Sequence, residues 1–97
     1  MNIAEPIALN AQYIPDRIAI ERGGEAITYR EFDVLVRRIA TRLTAAGVVQ
    51  SDTVGVMLRD TPLHVAAQVA VASRGAVALS LDWRWAPPEI KRLTAQL

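Results

Sequence analysis

An α/β fold is what this sequence predicts, and three observations predict it. Residues 53–81 read as apolar strand, helix, apolar strand, and residues 17–29 as two alternating stretches around Gly23-Gly24. Residues 28–47 carry the strongest helical periodicity in the chain. These patterns also ask for more cover than 97 residues supply, since a domain of this size buries roughly two-thirds of its unfolded surface.

Residues 5–14 suit a short helix, ended by Pro15 because proline disfavours the α conformation before it. Arg17-Ile18-Ala19-Ile20-Glu21 alternates outward and inward side chains, and Glu25-Ala26-Ile27-Thr28-Tyr29 answers it across a Gly-Gly turn that tolerates positive φ, which predicts a β-hairpin. Phe32, Leu35, Val36, Ile39, Ala40, Leu43 and Ala46 then follow the spacing of one helical face. Thr28 and Glu31 fit a capping box, Ile27 and Phe32 its hydrophobic staple, and Gly47 a left-handed C-terminal cap.

Thr53-Val54-Gly55-Val56-Met57-Leu58 suits a strand covered on both faces. Thr61-Pro62 reads as a helix start, with the helix running to about Arg74 and stopping at Gly75. Ala76-Val77-Ala78-Leu79-Ser80-Leu81 is a second apolar strand, so the unit is a right-handed βαβ with parallel strands. Pro87-Pro88-Glu89 opens a last predicted helix, with Ile90, Leu93 and Leu97 on one face and no stop signal. The helix over 62–74 is apolar almost all round, broken mainly by His64 and Gln68. Such a helix belongs between layers, which makes the chain read as part of a larger sheet. The rival is a compact small α/β domain with an alanine-rich surface helix.

Eleven basic and ten acidic residues are spread along the chain, giving a formal net charge of +1. Nothing in that balance recruits nucleic acid or an anionic membrane. Without cysteine there is no disulfide and no thiolate chemistry. The start lacks the basic region and long apolar run of a signal peptide. No stretch approaches the roughly 20 apolar residues of a membrane span. A cytoplasmic location is the expectation.

Candidate site residues each have a plainer reading. His64, the single histidine, has no metal partner or nucleophile arranged around it in sequence, so a surface or capping role is expected. Arg37, Arg38 and Arg42 lie beside Asp33 on the polar face of an amphipathic helix, which reads as a solvated face. Gly23-Gly24 has neither phosphate-loop spacing and joins two strands, while Gly47 and Gly75 read as helix caps. Lys91, the sole lysine, reads as solvated. Trp83-Arg84-Trp85 has the makings of a stacking site, but no second aromatic or basic cluster supports one, and packing of a loop is preferred. No catalytic, cofactor-binding or metal-binding residue is assigned.

Ile27-Thr28-Tyr29-Arg30-Glu31-Phe32, with the helix ending Ala45-Ala46-Gly47-Val48, resembles the opening motif of the adenylate-forming (AMP-dependent) synthetase and ligase family. Asp52 to Leu58 looks like its next strand. Ser73-Arg74-Gly75-Ala76-Val77 through Leu81-Asp82-Trp83-Arg84 resembles its small-residue helix, strand and Leu-Asn-x-Arg turn. Pro88-Glu89-Ile90 resembles the start of the helix that follows. Asp82 stands where the family favours asparagine, and Trp85 where leucine is commoner. The resemblance runs from about residue 5 to 97 and is nearest the acyl-CoA synthetase branch.

The resemblance implies an N-terminal fragment of a larger adenylate-forming synthetase domain, with residues 1–97 a partial domain truncated before the phosphate-binding loop. Its parent would join a carboxylic or fatty acid to coenzyme A through an acyl-adenylate, using ATP and magnesium. The residues that perform this in the family lie downstream, so the chain alone is expected to be inactive scaffold. Its partner would be the rest of the synthetase domain, with self-association through uncovered apolar surface when that is absent. Alternatives are the start of a peptide-synthetase or aryl-acid adenylation domain, or a small non-catalytic interaction protein derived from a synthetase end. A βαβ regulatory domain is disfavoured because its acidic phosphoacceptor cluster is missing.

Overall fold

A computed structural model describes residues 4–56 and 61–80, and residues 91–93 as backbone. Met57, Leu58, the Trp83-Arg84-Trp85 cluster and the Pro87-Pro88-Glu89 start lie outside the described residues. The elements are α1 (Glu5–Tyr13), β1 (Ile18–Arg22), β2 (Glu25–Thr28), α2 (Tyr29–Ala45), β3 (Thr53–Val56), α3 (Pro62–Ser73), β4 (Val77–Ser80) and β5 (Lys91–Leu93).

β1 and β2 pair antiparallel from Arg22↔Glu25 to Ile18↔Thr28, with a register irregularity between Ile18 and Ile20. Gly23 and Gly24 have φ of 58° and 81°. Positive φ at both turn positions matches the strand twist and is why two glycines stand there.

α2 begins with every early amide donor matched. Thr28 N donates to Glu31 Oε1, and Glu31 N donates to Thr28 Oγ1. Tyr29 N donates to the Arg17 carbonyl and Arg30 N to the Pro15 carbonyl. A helix start otherwise leaves these four N–H groups without partners. Ile27, the expected staple residue, packs half-buried against a core that includes Phe32. Both long helices end alike. Val48 N reaches the Leu43 carbonyl and Ala76 N the Val71 carbonyl, with Gly47 N and Gly75 N bonded to Thr44 and Ala72. This is the Schellman pattern, and its usual apolar contact follows because Leu43, Val48, Val71 and Ala76 are all buried. Ala46, predicted on the apolar face, is the exposed C-cap instead.

α3 is the middle layer. It packs against α2 on one side and against β3 and β4 on the other, and also touches the hairpin. Ala66, Ala67, Ala70 and Val71 are fully buried. Small side chains there let two neighbours approach one helix closely. Burial is not complete around the helix: Val69 is half-buried, while Gln68 and Ala72 are exposed. Thr61 occupies the N-cap position with extended backbone, but its side chain makes no cap hydrogen bond.

β3 and β4 are parallel, Thr53↔Val77 to Val56↔Ser80, with α3 as the crossover between them. Val54 and Val56 are buried, whereas Val77 and Leu79 on β4 are 58% and 41% exposed. The sheet is therefore covered on one face of β4 only. The final element corrects the sequence reading. Residues 91–93, expected inside a helix, form β5, parallel to β3 on the edge opposite β4. An uncovered strand edge carries unmatched N–H and C=O groups, and pairing three residues to it outweighs a local helical pattern. Lys91 thus has a strand backbone; the rest of the proposed helix is outside the described residues.

Candidate functional site

Two polar side chains of α3 are brought to one place. His64 and Gln68, four residues apart, share a helix face. Both reach Ser80 at the carboxyl end of β4: His64 Nε2 lies 3.0 Å from Ser80 Oγ, and Gln68 Nε2 donates to the same oxygen at 2.9 Å. With Gln68 as donor, the Ser80 hydroxyl proton is available to His64 Nε2 in the tautomer protonated at Nδ1. His64 is half-buried, so the single histidine is more than a plain surface group. It ties the crossover helix to the strand it feeds. A serine–histidine contact is not by itself a nucleophilic site, which needs a held base and donors around a developing oxyanion. The available sequence signal is the spacing of the two polar breaks; Ser80 as their shared partner has none.

The arginines of α2 stay on its outer surface. Arg37 pairs with Asp33 at 3.1 Å, and Arg30 with Asp16 at 3.0 Å across to the loop before β1. Arg37, Arg38 and Arg42 line a shallow groove of about 470 Å³ with Val34 and Thr41. A second groove of about 310 Å³ continues past Val34 along Ile27, Arg30, Glu31 and Leu35. The Glu31 carboxyl is perturbed. The Thr28 backbone N–H, then the Thr28 hydroxyl, favour its ionised form and hold its pKa below the usual glutamate value.

The glycines with positive φ sit at the hairpin turn and at the ends of α2 and α3. They lie on separate elements and do not converge into one loop. Among those residues no group of three His, Cys, Asp or Glu side chains is placed to share a metal ion. No described helix is long and apolar enough to cross a membrane.

Residues 7–96 match the AMP-binding enzyme family. Over 93 residues the chain is 30% identical to a medium/long-chain-fatty-acid–CoA/3-oxocholest-4-en-26-oate–CoA ligase of Mycolicibacterium smegmatis, covering 96% of this chain and 17% of that one. It is 38% identical over 72 residues to a plipastatin synthase of Bacillus subtilis, covering 74% of this chain and 3% of that one. Among solved structures it superposes on the inhibitor-bound N-terminal domain of FACL13 from Mycobacterium tuberculosis. The TM-score is 0.73 at 28% identity, over 91% of this chain and 23% of that one. The chain belongs to the AMP-binding, adenylate-forming enzyme family, in its acyl-CoA synthetase branch. It spans about a sixth of the length of the ligase it matches from end to end.

Proposed function

We propose that this chain is the opening, non-catalytic scaffold of an ATP-dependent acyl-CoA synthetase domain. The observation that carries the reading is the disproportion in coverage: 96% of the chain aligns with 17% of a fatty-acid–CoA ligase. The parent would couple a carboxylic acid to coenzyme A through an acyl-adenylate, with magnesium ATP bound by residues beyond those of this chain. No catalytic, nucleotide-binding or metal-binding role falls on any residue of it. The exposed Val77 and Leu79 of β4 are the surface that the rest of the domain would cover. Alone, that surface would favour self-association, since monomers rarely leave large apolar patches wet. The working location is the cytoplasm. The peptide-synthetase alternative has a similarity behind it, but that match leaves out a quarter of the chain.

Two measurements test the proposal. Grafting residues 7–96 into the Mycolicibacterium smegmatis ligase, in place of its matching segment, should leave ATP–pyrophosphate exchange with a fatty acid measurable. A soluble, folded but inactive chimera would count against a scaffold role. The chain by itself should give no exchange above a boiled control and no heat on titration with Mg-ATP; a micromolar dissociation constant would reveal a site of its own.

A further inference from the structure

The uncovered surfaces of this chain are of two kinds, and they call for different partners. On β4 the exposed side chains Val77 and Leu79 are apolar. On α2 the exposed strip has an apolar centre with more guanidinium groups than carboxylates around it: Val34, 47% exposed, lies in both grooves, with Arg37, Arg38, Thr41 and Arg42 along one and Ile27, Arg30, Leu35 and the Glu31 carboxylate, engaged in the capping box, along the other. Arg30 and Arg37 have carboxylate partners, whereas Arg38 and Arg42 form no ion pair among the described residues. Arg38 and Arg42 are also four apart on one helix, a like-charge spacing that weakens an isolated helix. Arg42 gains something back from the helix C-terminus; Arg38, mid-helix, does not.

A strip of this composition cannot be the inner surface of a larger domain without desolvating several guanidinium groups. Arginine rims around an apolar residue suit a separable protein partner, because the planar guanidinium pairs with a carboxylate through two parallel hydrogen bonds. We propose that the outer face of α2 is a docking surface for an acidic amphipathic segment of another protein. In that segment an apolar residue would sit against Val34, and carboxylates one helical turn apart would meet Arg38 and Arg42. Charge complementarity selects this occupant: a bare phosphate would leave Val34 unused, and an apolar helix would leave two guanidinium groups uncompensated. The inference does not depend on the synthetase reading.

The test uses the 97-residue chain and a fluorescent helical peptide of about 16 residues, long enough to form helix marginally by itself, with glutamates at i and i+4 flanking a leucine. Anisotropy should show binding that weakens as salt rises from about 0.05 to about 0.3 M, where exposed charges are screened. Arg38→Glu/Arg42→Glu should weaken it about tenfold or more, and a peptide with lysines for glutamates should restore binding to that variant. Because the double variant risks disturbing α2, a photo-crosslinking version of the peptide is also applied to the unaltered chain, with adducts expected within residues 27–42. Unchanged affinity in a folded double variant, or adducts mainly on β4, overturns the proposal. So does equal binding of a scrambled peptide with the same charges. Capture by phosphatidylglycerol vesicles without peptide binding would overturn it too, assigning the surface to a membrane.

Discussion

The Thr28 side chain and the Glu31 side chain each complete the other's backbone. Thr28 Oγ1 accepts from Glu31 N at 3.2 Å while Glu31 Oε1 accepts from Thr28 N at 3.0 Å. The same two residues place Ile27 against the core and set where the hairpin stops and α2 starts, since Thr28 is both the last residue of β2 and the N-cap. Thr28→Ala should therefore cost about 1 kcal/mol, the usual worth of a capping hydroxyl. Urea titration measures it; a midpoint shift indistinguishable from zero would mean the cap adds nothing beyond the carbonyls of Pro15 and Arg17.

The acid limb of stability should carry Glu31's signature. Its carboxyl is held below the usual value by the Thr28 N–H and hydroxyl. A depressed folded-state pKa stabilises above the unfolded pKa, and that contribution fades as pH falls through the lower folded value. The loss lies below about pH 4.3, where an ordinary glutamate is half protonated. Glu31→Gln should shallow the decline of melting temperature below that pH. Parallel declines for the two proteins would show that the carboxylate is not linked to folding.

Size, rather than polarity, should decide substitutions in α3. Ala67→Leu and Ala70→Leu force side chains into fully buried positions between α2 and the sheet and should cost about 1–3 kcal/mol each. Ala72→Leu, on the exposed strip of the same helix, should stay within about 0.5 kcal/mol. Thermal melts of the three variants decide it, and equal losses would place the layers wrongly.

Gly75 is constrained twice. Its φ is +72°, and a Cβ added there would lie 3.0 Å from Gln50 Cγ. Gly24, at φ +81°, has open space around it. Gly75→Ala should cost more than Gly24→Ala, which bears only the left-handed penalty of about 1–2 kcal/mol. Gln50→Ala should remove the excess. A double-mutant cycle with no coupling would leave the backbone conformation as the whole cause.

Local chemistry is readable wherever residues close in sequence make the structure. The capping box, both glycine helix ends and the Gly-Gly turn all depend on partners within a few positions, and all are present. What local pattern does not give is the choice among distant partners. Nothing in Lys91-Arg92-Leu93 names the β3 edge that it pairs with, and a helical period persists in residues that pair as a strand. Ser80 gathers His64 and Gln68 from 16 and 12 positions away, and only the parallel register of β4 brings it there. The burial of α3 is legible as an excess of alanine and valine, but its exposed strip through Gln68 and Ala72 is not, because alanine suits either environment. The family is legible through the order of its motifs. The arginine face reads as solvated because spacing alone does not show a groove.

β4 has a consequence for the life of the chain before anything binds it. Among the described residues it ends the order β4-β3-β5, and Val77-Ala78-Leu79-Ser80 contains no charge or proline to discourage a stray strand. Ribosomes deliver about 5–20 residues each second, so this strip waits in water after the hairpin and α2 can fold. Quality-control factors that survey nascent polypeptides would meet it at that stage. In the parent domain proposed above, the yield of usable protein would then depend on how quickly this strip is covered as well as on final stability.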